Sequence, residues 1–107
     1  MSLFLILLAA GESKRLKSNV PKPFVRVNGK TLLEISYEKF KDFNKIKKTV
    51  IVYNKKHKKY LSKLNLKNSL KVTGGTSRQE SAFIALKKIK KMNCKKVLIH
   101  DVARPNP

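Results

Sequence analysis

A short apolar run that ends abruptly in three small residues constrains the fold more than any other part of the chain. Residues 3–8 are all Leu, Phe or Ile, and Ala9, Ala10 and Gly11 follow directly. An uninterrupted apolar run of this length, bounded by turn residues, is typical of a strand buried on both faces of a parallel sheet. The small residues after it leave main-chain N–H groups open to close approach by a ligand.

Two cations, Arg15 and Lys22, follow the small residues. Lys22 lies between Pro21 and Pro23, which stiffen the local backbone, so this lysine loses less freedom when it binds a ligand. Exposed amides beside fixed positive charges suit phosphate groups. The alternative is a plain strand–helix turn with two solvated charges, because the loop matches neither the P-loop nor the G-x-G-x-x-G pattern.

The rest of the chain alternates helical and strand patterns. Thr31 to Glu34 and Ser77 to Glu80 both have the spacing of a capping box, which begins a helix. The patterns predict an extended piece at 24–27 with a turn at Asn28-Gly29, helices at 31–43, 55–64 and 77–92, buried strands at 48–53 and 96–100, and a brief strand at 70–73. This order predicts an α/β fold with a Rossmann-like, three-layer parallel sheet.

Three polar features fall at the carboxyl ends of the predicted strands, where open parallel sheets bind their ligands. They are the loop at 9–15, the turn at 74–78 and Asp101. A carboxylate at this edge can hold Mg²⁺ between phosphate oxygens. Each feature also has a plainer interpretation, as a tight turn, as a helix cap at Ser77, and as a turn-forming Asp paired with Arg104.

The composition narrows the function classes. The formal charge is +20, from 22 Lys and 4 Arg against 6 acidic residues. Sequence-specific nucleic-acid modules rely on Arg for bidentate base contacts, so we expect no specific nucleic acid and read most lysines as solvated. The single Cys94 permits no internal disulfide, which fits a cytoplasmic location. No apolar run approaches the ~20 residues of a membrane span.

Four motifs in this order resemble the 2-C-methyl-D-erythritol 4-phosphate cytidylyltransferase family over essentially the whole chain. They are Leu-Ala-Ala-Gly-x-x-x-Arg at 8–15, Pro-Lys at 21–22, Gly-Gly-x-x-Arg-x-x-Ser at 74–81 and His-Asp-x-Ala-Arg-Pro at 100–105. The first motif is shared with many nucleotidyltransferases. The seven-residue step from Arg15 to Lys22, together with the two later motifs, is more specific.

The resemblance implies an enzyme that transfers CMP from CTP to 2-C-methyl-D-erythritol 4-phosphate, releases pyrophosphate and uses Mg²⁺, in non-mevalonate isoprenoid synthesis. It implies a fold of the nucleotide-diphospho-sugar transferase type. Arg15 and Lys22 would stabilise charge on the α-phosphate, and Asp101 would hold the metal. The CTP-binding residues implied are Ala9, Ala10, Gly11, Glu12, Ser13, Gly75, Thr76, Ser81 and Val102, with Gly75 and Ser81 at the cytidine part.

The chain also departs from the family pattern. Ser13 stands where a second loop glycine is usual, Thr76 where an acidic or varied residue is common, Val102 where Ala is frequent, and Pro23 where Gln is usual. Residues 1–107 match only the nucleotide-binding part of a truncated domain. The part that binds the sugar-alcohol phosphate and the arm for a homodimer are expected beyond it, so this fragment alone is expected to be inactive in turnover.

Two other functions stay open at this point. A ribitol-5-phosphate or other sugar-phosphate nucleotidyltransferase would share these motifs, because its acceptor choice would lie largely outside these residues. A lysine-rich nucleic-acid-binding module would bind any duplex, with affinity falling steeply as salt rises. It would give no reason for three polar features at one sheet edge.

Overall fold

A computed structural model describes residues 3–11, 20–43, 45–92 and 95–102. The helices are α1 (Leu32–Lys41), α2 (Lys58–Leu61) and α3 (Arg78–Lys90). The strands are β1 (Leu3–Ala9), β2 (Arg26–Val27), β3 (Lys30–Thr31), β4 (Ile46–Tyr53), β5 (Ser69–Thr73) and β6 (Lys96–Asp101). Strands and helices alternate after the short β2–β3 hairpin, as the sequence predicts.

Four of the strands form a parallel sheet in the order β5-β4-β1-β6. β1 lies inside the sheet between β4 and β6, and its residues from Phe4 to Ala9 are all buried. A strand that reads as a continuous apolar run needs cover on both faces, and this position supplies it. The predicted α/β fold with a parallel sheet is confirmed.

The core consists of two layers of apolar side chains, one on each face of the sheet. On one face, Leu5 and Leu7 pack with Phe24, with Leu33 of α1 and with Leu61 of α2. On the other face, Ala85 and Ile89 of α3 pack against side chains of the sheet and of the residue that follows β1, which are Phe4, Ile6, Leu8, Ala10, Val50 and Val52. The alternation of side chains along β1 therefore produces the three predicted layers.

The extended piece expected at 24–27 is confirmed for residues 25–27, where Val25 is extended and β2 follows. Only its first residue differs, because Phe24 ends one turn of 3₁₀ helix at Lys22–Phe24. Pro21 and Pro23 fix φ values that suit such a turn, and buried Phe24 anchors it in the core. The tight turn expected at Asn28-Gly29 is present, with positive φ at both residues (54° and 86°), as a two-residue hairpin turn requires.

All three helices are shorter than predicted, α1 and α3 slightly and α2 by much more. α1 begins at the predicted capping box but ends at Lys41 rather than at residue 43. α3 ends at Lys90 rather than at residue 92. The helix expected at 55–64 is a 3₁₀ turn at Lys55–His57 followed by the single α-helical turn of α2. This lysine-rich segment has no acidic residue in its first turn, so neighbouring positive charges oppose a longer helix.

The prediction that residues 96–100 form a buried strand is wrong about burial. β6 forms, but its apolar residues Val97, Leu98 and Ile99 are each 36% to 38% exposed. β6 pairs with β1 along one side only, and within the described part of the chain no strand pairs with its other side. An apolar run in the sequence therefore does not distinguish a central strand of a sheet from an edge strand.

Among the helices of residues 3–11, 20–43, 45–92 and 95–102, none combines the length and apolar character that crossing a lipid bilayer demands.

Candidate active site

A cavity of about 790 Å³ opens at the carboxyl edge of the sheet. It is lined by the ends of β1, β4, β5 and β6, by the first turns of α3 and by the 3₁₀ turn that begins at Lys22. All the polar features predicted for this edge that the structure describes therefore meet in one place. This is the position at which doubly wound sheets bind their ligands.

The end of β1 forms the floor of the cavity. Ala9 and Ala10 are buried, whereas Gly11 is exposed. A Cβ atom added at Gly11 would meet no atom of the described residues within 4 Å. The Asn54 side chain at the end of β4 donates a hydrogen bond to the Ala10 carbonyl oxygen over 3.3 Å. The chain thus leaves the sheet in a conformation that presents its backbone to a ligand.

Gly74 and Gly75 let the turn after β5 lie directly against that floor. The Gly74 N–H donates to the Tyr53 carbonyl oxygen over 2.8 Å. A Cβ atom at Gly74 would lie 2.7 Å from the Ala10 Cβ, which is closer than two carbon atoms can pack. Buried Ser81 accepts a hydrogen bond from the Gly75 N–H over 3.0 Å. Ser81 therefore holds the turn in place.

The start of α3 departs from the predicted capping box. The Ser77 hydroxyl accepts from the Glu80 N–H at 3.0 Å, as predicted. The Glu80 carboxylate, however, accepts from the Thr76 N–H at 2.8 Å, one residue before the position that the pattern predicts. This side chain folds over Gly75, where an added Cβ would lie 1.8 Å from its oxygen. The Glu80 carboxylate thus stabilises the cavity wall at Gly75 and Thr76, while the Glu80 N–H takes part in the cap of α3.

Lys22 lines the cavity from the face of the sheet opposite to α3. It is the first residue of the 3₁₀ turn, and its carbonyl oxygen accepts from the Val25 N–H at 3.2 Å. Phe24, two residues on, is 4% exposed and packs in the core beside Leu7 and Leu61. A cation carried on a turn that the core anchors in this way is well positioned to meet an anionic ligand.

Asp101 closes the cavity at the end of β6. Its Oδ2 lies 3.4 Å from Nε of Arg78, the first residue of α3, and its side chain is 23% exposed. This ion pair connects two walls of the cavity. The pair is accessible to solvent, so its contribution to stability is small, about 0–1 kcal/mol.

The donor set fits a divalent cation that is shared with a phosphorylated ligand. Within the described ranges, no group of three or more His, Cys, Asp or Glu side chains could hold a metal by itself. Mg²⁺ typically binds one or two carboxylates and completes its coordination with water and substrate phosphates. Asp101 at the rim of a cation-lined cavity suits that arrangement and does not suit an all-protein metal cage.

The cavity brings together most of the residues that the sequence predicts for the site. The predicted residues that line it are Ala9, Ala10, Gly11, Lys22, Gly75, Thr76, Ser81 and Asp101. Glu12, Ser13 and Arg15 lie outside the described residues. Val102 is 1% exposed, donates its N–H to the Leu8 carbonyl oxygen at 3.0 Å, and is not among the lining residues. Its side chain belongs to the core, and its contact with CTP stays a prediction.

Sequence reasoning missed several lining residues. Asn54, Lys55 and Lys56 follow β4 directly, and Glu80 lies in the first turn of α3. Arg78 belongs to a quoted motif but had no role assigned to it. The rule that ligands gather at the carboxyl ends of parallel strands applied equally to residues 54–56, and it would have found them.

Comparison with known proteins agrees with this geometry. The family model described as 2-C-methyl-D-erythritol 4-phosphate cytidylyltransferase (IspD) matches residues 3–106. The bifunctional enzyme IspD/IspF of Pelagibacter ubique is 56% identical over 106 residues, which cover 99% of this chain and 29% of that protein. The cytidylyltransferase of Petrotoga mobilis is 39% identical over 111 residues, covering 96% of this chain and 48% of that protein.

The architecture matches as well. The structure of the bifunctional IspDF from Campylobacter jejuni superposes with a TM-score of 0.78 at 31% identity, and the match covers 95% of this chain and 26% of that one. The chain spans less than half the length of the two curated relatives above. The match to the family model nevertheless extends over nearly all of its residues, and the chain therefore belongs to the 2-C-methyl-D-erythritol 4-phosphate cytidylyltransferase family.

Proposed function

We propose that the full-length protein transfers CMP from CTP to 2-C-methyl-D-erythritol 4-phosphate and releases pyrophosphate. The observation that carries this proposal is the convergence of an exposed main-chain turn, Lys22 and Asp101 in one cavity at the carboxyl edge of the sheet. Family membership supports the choice of nucleotide and acceptor. The charges of the cavity support a triphosphate ligand, because the four cationic side chains of its lining outnumber its two carboxylates.

The reaction needs positioning and charge more than it needs a protein nucleophile. An oxygen of the acceptor phosphate forms a bond to the α-phosphorus of CTP. The bond from that phosphorus to the bridging oxygen breaks, and its electron pair leaves with pyrophosphate. Negative charge builds on the oxygens around phosphorus, so fixed positive charge lowers the barrier. The acceptor phosphate is already ionised at neutral pH, and no general base is required.

Lys22 is the described cation that we assign to the α-phosphate. Its turn is anchored by Phe24, so little side-chain and backbone freedom is lost when it binds. We assign the same role to Arg15. The main-chain N–H groups around Gly11 would donate hydrogen bonds to phosphate oxygens, together with those of Glu12 and Ser13 in the same loop. We assign the magnesium or other divalent ion to Asp101, where it would neutralise phosphate charge when bound.

The wall at residues 74–81 is our candidate for the cytidine part. Ser81 and Glu80 accept from the N–H groups of Gly75 and Thr76, which holds this turn rigid. This turn lines the cavity through Gly74, Gly75 and Thr76, so a nucleotide base in the cavity would lie against it. We include Val102 as a main-chain neighbour of the nucleotide. The acceptor-binding part and the homodimer implied by the resemblance remain predictions, as does the cytoplasmic location inferred from the single cysteine.

Pyrophosphate release by the full-length protein tests the proposal. Mixing CTP and Mg²⁺ with either 2-C-methyl-D-erythritol 4-phosphate or ribitol 5-phosphate should give turnover with the first acceptor only. Turnover with ribitol 5-phosphate alone would replace our assignment by the ribitol enzyme. Tight duplex DNA binding without any response to CTP would favour the lysine-rich nucleic-acid module instead.

The Lys22→Ala variant tests the role of the cation. Loss of one preorganised charge at the reacting phosphate should lower kcat by about 10²-fold or more. Lys88→Ala, on the exposed face of α3, removes the same charge away from the cavity and should leave kcat unchanged. Equal kcat values for wild type and Lys22→Ala would contradict the role assigned to Lys22.

A further inference from the structure

We propose that Lys55 and Lys56 form one cationic wall with Lys22 and contact the phosphate groups of CTP farthest from the nucleoside. This inference rests on the proposed function, because it assigns residues to the same nucleotide. Both lysines line the cavity, and neither belongs to a motif that led to the site. They would bind the β- and γ-phosphates, which become the pyrophosphate product.

The backbone that carries these lysines is fixed to the floor of the cavity. Asn54 accepts from the Lys56 N–H through its side-chain oxygen at 2.9 Å, and its carbonyl oxygen accepts from the His57 N–H at 2.8 Å. The Asn54 amide nitrogen donates to the Ala10 carbonyl oxygen at 3.3 Å. One side chain therefore ties the lysine turn to the segment that we assign to phosphate binding.

The same turn is packed against the turn that carries Lys22. The Phe24 ring stacks on Tyr60 at a centroid distance of 5.4 Å and meets the His57 ring edge-on at 6.2 Å. Phe24 and His57 are both buried. Two short 3₁₀ turns, each exposing lysine at the cavity, thus share one aromatic anchor. We infer that the three lysines form a single wall.

The position of this wall indicates which end of the nucleotide it meets. The aromatic anchor belongs to the core layer that contains Leu61, on one face of the sheet. The turn assigned to cytidine leads into α3, which packs on the other face through Ala85 and Ile89. A nucleotide whose base lies at Gly75 would therefore extend its phosphates toward the lysine wall.

The charges of the cavity agree with this direction. Its two carboxylates lie on the other walls, where Glu80 accepts from Thr76 and Asp101 pairs with Arg78. The wall that carries Lys55 and Lys56 contributes only positive charge to the lining. A triphosphate tail and its pyrophosphate product carry the opposite charge at high density, so they are the ligands that this wall attracts most strongly.

Binding measurements with three ligands test the inference on the full-length protein. Titration calorimetry with CTP, pyrophosphate and CMP, each with Mg²⁺, would compare wild type with the double variant Lys55→Ala/Lys56→Ala. We expect Kd to rise about 10-fold for CTP and pyrophosphate and to stay unchanged for CMP, which lacks the distal phosphates. The double variant Lys87→Ala/Lys88→Ala on α3 removes two charges away from the cavity and should leave all three Kd values unchanged.

Each other outcome overturns the inference in a different way. An equal loss of CTP and CMP affinity would mean that the lysines stabilise the cavity or its overall positive potential and do not contact the distal phosphates. Equal losses in both double variants would mean that net charge alone is responsible, and no loss in either would mean that the lysines are merely solvated. Absence of CTP binding by the wild type would overturn the proposed function together with this inference.

Discussion

At the scale of single residues, two glycines that line the cavity differ in how closely other atoms surround them. This difference allows an effect on stability to be distinguished from an effect on ligand binding. A Cβ at Gly74 would lie 2.6 Å from the Ser81 Oγ, 2.7 Å from the Ala10 Cβ and 2.9 Å from a Val52 methyl carbon. A Cβ at Gly11 would meet no described atom within 4 Å. Gly74 is therefore required by packing, whereas no contact within the described residues requires glycine at position 11.

We expect Gly74→Ala to lower the free energy of unfolding by about 1–3 kcal/mol, because the Ala10 and Val52 atoms that it meets belong to the rigid core. Gly11→Ala should leave the free energy of unfolding unchanged and weaken CTP binding. Urea unfolding and CTP titration of the two variants would measure both effects. Equal stability of the two variants would contradict the packing that we describe for Gly74.

Asp101 gives a second prediction at this scale. Its ion pair with Arg78 is partly exposed, so Asp101→Asn should change the free energy of unfolding by no more than about 1 kcal/mol. The same change removes the charge assigned to the metal and should abolish most of the gain in CTP affinity that Mg²⁺ provides. Titrating CTP with and without Mg²⁺ measures that gain. If Mg²⁺ still strengthened CTP binding as much as in wild type, the metal would lie elsewhere.

At the scale of helices and strands, the sequence predicted starts better than ends. The start of α1 follows from a reciprocal pair of hydrogen bonds between Thr31 and Glu34, which depend on residues only three positions apart. The Lys55–His57 turn depends instead on Asn54 and on aromatic contacts with Phe24. Phe24 is more than thirty residues away in sequence, so no local pattern could predict that the helical segment beginning at Lys55 ends early, at Leu61.

His100 shows how one strand contributes a pH dependence. Its ring packs edge-on against Phe40 of α1 at a centroid distance of 5.3 Å. Burial lowers the pKa of His100 below its usual value of 6.5, nearby Lys39 lowers it further, and Asp101 partly opposes both. The unfolded chain therefore binds the proton more readily than the folded one. The neutral ring stabilises the fold fully above about pH 6.5, and this stabilisation declines as the pH falls below that value.

The His100→Gln variant tests this contribution. Gln does not titrate, so the drop in Tm between about pH 8 and about pH 5 should be smaller in the variant than in wild type. Differential scanning calorimetry at several pH values would measure the two drops. An identical drop in wild type and His100→Gln would contradict the contribution assigned to His100.

At the scale of the whole molecule, the sequence predicted the layers and an open sheet edge but not that β6 forms that edge. The alternating elements led to a parallel sheet covered on both faces, because that is how β–α repeats bury apolar strands. The same reasoning assigned β6 to the interior. Whether a strand is central depends on what pairs with it, and β6 has a partner on one side only among the residues described. The position of a strand in the sheet therefore depends on how all the strands pair, and the residues 96–100 alone do not determine it.

The exposed edge gives the last prediction, which concerns the 107-residue chain in solution. An edge strand of the described sheet with the partly exposed residues Val97, Leu98 and Ile99 is a template for pairing with another chain. The charge of +20 opposes such pairing by repulsion between copies. Salt reduces the Debye length from about 10 Å at 0.1 M to about 3 Å at 1 M, so self-association should increase as salt is added.

The Leu98→Lys variant should suppress this association, because a charge on the edge makes pairing between strands unfavourable. Sedimentation velocity at low and high salt would measure the fraction of associated chains. Phe83→Lys is the control, since Phe83 on α3 is 64% exposed and gains the same charge away from the edge. Greater suppression by Leu98→Lys than by Phe83→Lys would locate the association at β6. Equal suppression would mean that net charge governs it, and β6 would then have no special tendency to pair.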